Sequence, residues 1–173
     1  RDAEDRPPLA GRWHDGEPVT PEDVVWSFEK LVEVNPSQGF YYQHVVKAEV
    51  TGEREVTFHF ARAGSRDLPL TVGTLPVLPR HYWTATGANG APRSRENPTL
   101  EPPLGSGPYR IKSFETGRSI TFERVRDYWG RELSVRRGQY NFDEIRVTMC
   151  QDEVPEFEAV KAGDVDIHPE TSS

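Results

Sequence analysis

The side chains that could do chemistry are scattered along this chain. Five histidines occur, His14, His44, His59, His81 and His168, and no two stand three or four residues apart. Zinc sites need Cys or His ligands at close, repeated spacing, and Cys150 is the sole cysteine. No calcium-loop spacing of acids appears, so neither a metal nor any other cofactor is expected. Gly105-Ser106-Gly107 sets a serine between glycines, but it is not G-x-S-x-G. Pro108 also blocks the strand-to-helix elbow that a nucleophilic serine needs. The same stretch is too short for a phosphate loop and leads into a strand pattern, so no helix N-terminus would receive an anion. Cys150 falls on a strand and reads as a small, buried or half-buried residue. Asp143-Glu144 and Asp152-Glu153 read as solvated faces and caps, and His59 as an exposed strand residue. Three aromatic clusters remain: Phe40-Tyr41-Tyr42, His81-Tyr82-Trp83 and Tyr128-Trp129. Aromatics with polar tips suit binding clefts, and they equally suit the edges of a core.

The clearest element signal is Trp13 to Leu31, WHDGEPVTPEDVVWSFEKL. Asp15-Gly16 is a turn dipeptide, and Glu17 before Pro18 is held extended. Thr20 is placed as an N-cap, with Pro21 at the first helical position and Glu22 and Asp23 at the positive end of the helix dipole. Val24, Val25, Phe28, Leu31 and Val32 follow helical spacing and give one apolar face. Asn35-Pro36-Ser37-Gln38-Gly39 ends the helix. Alternation over Lys47–Phe60, broken at Gly52-Glu53-Arg54, predicts a β-hairpin. Pro69, Pro76 and Pro79 exclude a long helix or central strand, leaving short pieces with a short helix over Val77–Trp83. Residues 84–103 form a polar, Gly/Pro/Asn-rich loop. A second hairpin follows, with Tyr109, Ile111 and Ser113 on one phase and a turn at Glu115–Arg118. Ile145, Val147 and Met149 mark a third strand. Asp152 is placed to cap a helix over Glu153–Ala162, Gly163 ends it, and Val165-Asp166-Ile167 reads as a further strand.

The 173 residues suffice for one domain or two small lobes, and 14 Gly with 15 Pro predict many loops and short strands. A net charge of −7 without a basic block argues against nucleic acid or an anionic membrane as the main partner. Arg136-Arg137, near Arg131, reads as a solvated loop. One cysteine excludes an internal disulfide, which suits the cytosol or a disulfide-free periplasmic protein. No apolar run approaches the roughly 20 residues that span a bilayer. No signal peptide is visible. The charged start and the abrupt end at Glu170-Thr171-Ser172-Ser173 both read as cuts in a longer product.

Four phrases, in order, resemble the family-5 extracellular solute-binding proteins of ABC importers. They are Asp15-Gly16-Glu17-Pro18-Val19-Thr20-Pro21-Glu22-Asp23-Val24 followed by Ser27-Phe28, Gly105 to Tyr109, Asp127-Tyr128-Trp129-Gly130, and Ala162-Gly163-Asp164-Val165-Asp166. Trp13–Gly16, residues 35–46 and Asn141–Ile145 look most like the branch of YejA-type oligopeptide importers. Residues 1–12 depart from the family pattern, Arg6-Pro7-Pro8-Leu9 being a poor version of its usual Phe-x-Leu-Arg strand. The resemblance implies a mixed α/β fold, part of the first lobe of a periplasmic binding protein of type II, with short, mostly antiparallel strands and two or three helices. Residues 1–173 would be one fragment of that lobe, with sub-parts 13–83, 84–103 and 104–173. It implies a periplasmic, non-catalytic protein that holds a peptide between two lobes and delivers it to permease subunits. The segment nearest the cleft maps to Phe40, Tyr41 and Tyr42, the expected ligand contacts. Gly105, Gly107, Tyr109 and Trp129 are expected to determine the fold instead. The alternative is a hydrolase acting on a peptide or glycan through carboxylates, although no nucleophile–base constellation is present.

Overall fold

Helix α1 (Pro21–Val34) begins where its residue types require. Thr20 Oγ1 accepts the N–H of Asp23 at 3.2 Å, and Asp23 Oδ2 accepts the N–H of Thr20 at 3.0 Å. This is a reciprocal capping box, so Asp23 does more than face the dipole. The computed structural model describes residues 11–34, 39–62, 64, 67–87, 90, 93, 100–149 and 153–167. They fall into two compact units, residues 1–108 with 125–139, and residues 109–124 with 140–173.

In the first unit, α1 turns Phe28 and Leu31 inward against an antiparallel hairpin of β1 (Val45–Gly52) and β2 (Glu55–Phe60). Leu31 is 2% exposed and sits with Tyr42, Val45, Ala48 and Leu75 in one core. The Phe28 ring meets Tyr42 and Phe58 edge-on, with centroids 6.0 and 5.8 Å apart. Such pairs add about 1 kcal/mol each beyond burial. The hairpin's other face is polar: Glu49 pairs with both Lys47 and His59, and His59 is exposed as its phase predicts. Helix α2 (Asp67–Gly73) contains Pro69, tolerated because the first turn needs no N–H donor there. Helix α3 (Arg80–Thr84) starts later than the expected Val77. Pro79 keeps Leu78 out of the helical region and is itself the extended N-cap, with ψ of 103°.

The second unit is a sheet of order β3 (Tyr109–Glu115), β4 (Ser119–Arg124) and β5 (Glu144–Thr148), antiparallel throughout. A register shift between Ile111 and Ser113 corrects the simple alternation. The extra residue, Lys112, breaks the phase, so Phe114 rather than Ser113 joins Ile111. Ile111 and Phe114 oppose Phe122 and Ile120, which in turn oppose Ile145 and Val147. One face therefore carries an apolar patch across the three strands, bounded at one end by the Tyr109–Arg124 pair.

Helix α4 (Glu153–Ala162) ends at Gly163, whose φ of 78° suits a residue without Cβ. The N–H of Asp164 donates to Ala159 O at 2.9 Å and that of Gly163 to Val160 O at 3.1 Å, a Schellman closure. Val165–Ile167 is not a strand, because no described strand pairs with it. The expectations for Cys150 and for Asp152 as a cap lie outside the described residues.

Candidate functional site

Three of the four sequence phrases meet in the first unit. The turn at Trp13–Gly16 is closed by the N–H of Gly16 on Trp13 O at 2.9 Å. The His14 N–H donates to Gly105 O at 2.8 Å, and His14 Nε2 donates to Gly107 O at 2.9 Å. Trp129 Nε1 donates to the carbonyl between them, Ser106 O, at 2.9 Å. Three consecutive carbonyls are thus each held by a different donor. A Cβ on Gly105 would lie 3.1 Å from His14 Cε1, so a side chain there would push the His14 ring back by a few tenths of an ångström. In these roles His14, Gly105 and Trp129 hold the chain together.

Asp23 organises the adjoining corner. It is 3% exposed, and its carboxylate accepts from Trp13 Nε1 at 3.2 Å, Thr20 N–H at 3.0 Å and Arg80 N–H at 2.9 Å. Buried carboxylates persist where donors surround them in this way. One turn later Ser27 Oγ donates to Asp23 O at 2.6 Å and accepts the N–H of Leu78 at 2.8 Å. Residues 78–80, and so the start of α3, are pinned to α1. On the outside, His81 Nε2 donates to Asp15 Oδ2 at 2.7 Å, while Asp15 Oδ1 accepts Glu17 N–H at 3.1 Å. Burial acts to raise the Asp15 pKa, but the bonds from His81 and Glu17 outweigh it and hold the carboxyl below its ordinary value.

Between the start of α1 and α3 lies an open cavity of about 440 Å³ lined by Glu17, Thr20, Glu22, Arg80, His81 and Thr84, with Asp23 at its edge. Sequence reasoning saw Thr20, Glu22 and Asp23 as parts of a helix start and gave Arg80 no role. The proline before Arg80 was the one available sign of a fixed backbone there.

Phe40, Tyr41 and Tyr42 form a single 3-10 turn after α1. Phe40 and Tyr41 are 66% and 68% exposed, and their rings meet edge-on at 6.3 Å. Tyr42 is 8% exposed, packed on Phe28, with its hydroxyl donating to Thr71 O at 3.5 Å. Burial pushes its phenol pKa up. The other clusters are occupied in packing. Tyr82 stacks under the Arg93 guanidinium at 4.2 Å and donates to Pro102 O at 3.0 Å, while Arg93 pairs with Glu101 at 2.7 Å. Tyr128 lies 5.3 Å from Trp129. Among the described residues, no three His, Cys, Asp or Glu side chains are grouped to hold a metal, and no helix is long and apolar enough to cross a membrane.

The chain is 49% identical over 162 residues to the probable peptide-binding protein YejA of Agrobacterium fabrum, covering 94% of this chain and 26% of that protein. It is 40% identical over 161 residues to the peptidoglycan-binding protein YepA of the same species, covering 92% and 25%. The chain thus spans about a quarter of the length of these curated relatives. Its fold matches that of the oligopeptide-binding protein AppA of Bacillus subtilis, solved with a nonapeptide, at a TM-score of 0.67 and 22% identity, covering 90% of this chain and 29% of that one. The family model for bacterial extracellular solute-binding proteins, family 5 middle region, matches residues 11–173, and the chain belongs to that family.

Proposed function

We propose that this chain forms part of one lobe of a periplasmic receptor that binds oligopeptides, without chemistry, for uptake through an ABC importer. The observation that carries the reading is the 3-10 turn. Phe40 and Tyr41 stand out from a unit whose other aromatic clusters are spent on packing, and Tyr42 anchors them to the core. Two open rings on a fixed turn offer apolar contact at small entropic cost, and Tyr41 adds a hydroxyl for a peptide carbonyl. The rest of the peptide would be held through main-chain bonds and water in a second lobe's closure, which keeps selectivity low. Support comes from a relative named as a probable peptide-binding protein and from a fold neighbour solved with a peptide. The absence of a nucleophile–base pair in the sequence weighs against the hydrolase reading.

The test is isothermal titration of short linear peptides and of a peptidoglycan stem peptide, the latter because one relative is a peptidoglycan-binding protein. Both this chain and a chain extended to the length of its relatives are titrated. Binding by the extended chain that falls by about tenfold or more in the F40A/Y41A double variant is expected, since exposed aromatic anchors dominate such contacts. Peptide cleavage in place of binding, or affinity untouched by the double substitution, would overturn the reading.

A further inference from the structure

The hairpin of the first unit leaves one regular strand edge open. Among the described residues, β2 pairs with β1 alone. The Ala61 N–H donates to His44 O at 2.9 Å, which fixes the direction in which the β2 backbone faces. By alternation Thr57 and His59 also turn their N–H and C=O groups to β1, while Val56, Phe58 and Phe60 turn theirs to the outer edge. Native sheets ordinarily blunt such an edge with a bulge, a lysine or a proline. Strand β1 carries two of these devices. Its register shifts at Val45/Lys47 and at Val50/Gly52, and Lys47 is exposed. Strand β2, Glu55-Val56-Thr57-Phe58-His59-Phe60, carries none of them.

We propose that β2 is a self-association edge, on which the β2 strand of a second copy of this chain pairs antiparallel about a two-fold axis at Thr57. The outward backbone groups of Val56 then meet those of the partner's Phe58, and the symmetric pair repeats the contact on the other side of the axis. Every side chain keeps its face. Val56, Phe58 and Phe60 pack against the core beside α1, so Val56 and the partner's Phe58 extend that apolar face. On the opposite, polar face Glu55 stands across from the partner's His59, a charge-complementary pair made twice. His59 is already set on that face by Glu49, 2.6 Å away. An axis at Phe58 opposes Glu55 to Ala61 and forgoes this pairing. A slip of one residue sets the polar face of one copy against the apolar face of the other. Pairing also doubles a two-stranded sheet, the smallest and least stable kind. This edge uses none of Phe40, Tyr41 or Tyr42 and does not rest on the oligopeptide reading.

The experiment is sedimentation equilibrium of the 173-residue chain at rising concentration. The chain is run beside Thr57→Lys, Thr57→Glu and an equal mixture of the two variants. The weight-average mass of the unsubstituted chain is expected to climb toward twice that of the monomer. Each variant alone sets two like charges directly opposite at the axis and is expected to dimerise about tenfold more weakly. In the mixture the new charges attract, and dimerisation returns. Both variants keep the fold, checked by their amide spectra, because the Thr57 hydroxyl meets only Thr51 Oγ1, at 2.9 Å on the exposed face. A mass that stays monomeric throughout, a dimer that persists equally in both variants, or a mixture no better associated than its components would each overturn the proposal.

Discussion

At the residue scale, Asp23 has the most to lose. Removing its carboxylate leaves the Trp13 indole, the Thr20 amide and the Arg80 amide facing each other without an acceptor. Each unsatisfied buried donor costs about 1–3 kcal/mol, so Asp23→Ala is expected to destabilise the first unit by about 3 kcal/mol or more in urea unfolding. Thr20→Ala removes only one half of the capping box and is expected to cost about 1 kcal/mol. A near-neutral Asp23→Ala would mean that the three donors find other partners. Asp15 makes a pH-dependent contribution. Its folded pKa lies below the unfolded one, so the stability it adds is full above the unfolded value, about 3.9, and is lost as pH falls through the folded value. Titration of the Asp15 carboxyl by nuclear magnetic resonance is expected to show this lowered value, and His81→Ala is expected to move it upward. The helix start was readable residue by residue from Thr20 to Asp23. That Asp23 would also hold Trp13 and Arg80 was not, since those partners lie 10 and 57 positions away.

At the scale of elements, glycines set how closely segments approach. A methyl group at Gly105 meets His14 Cε1 at 3.1 Å, a contact the ring can relieve only by shifting off Gly107 O. At Gly130 the same methyl group falls 2.7 Å from Tyr128 Cζ. Gly105→Ala is expected to cost about 1–2 kcal/mol and Gly130→Ala more, unless the Tyr128 ring swings aside, and thermal unfolding of the two variants checks the order. The strand alternations and both hairpin turns were readable because each is a local pattern of period two. The bulge at Lys112 was not. Its cause is the register of β3 against β4, which no residue of β3 shows on its own. The short helix before Thr84 was anticipated, but its start moved to Arg80 because Pro79 acts on the residue before it.

At the scale of the whole molecule, the two units are unequally buried. The described core, Phe28, Leu31, Tyr42, Val45, Ala48 and Leu75, lies entirely in the first unit. In the second, Ser119 is the one buried residue among those described, while Ile145 and Val147 remain 37% and 46% exposed. Native-state hydrogen exchange is expected to show α1 and β1 amides opening with a larger free energy than those of β3–β5. Equal protection in both units would contradict this reading of the burial. By itself the sequence determined the capped helix, the hairpins, the end of α4 at Gly163 and, through four phrases spread over the chain, the family. Those features depend on neighbours a few residues apart or on short phrases that can be read without coordinates. Only the tertiary structure decided that three of the phrases hold one loop in place, that Tyr42 turns inward while Phe40 and Tyr41 stay open, and that Glu17, Glu22 and Arg80 share a cavity. Each of these depends on distances between residues tens of positions apart, which packing sets and local residue preference does not.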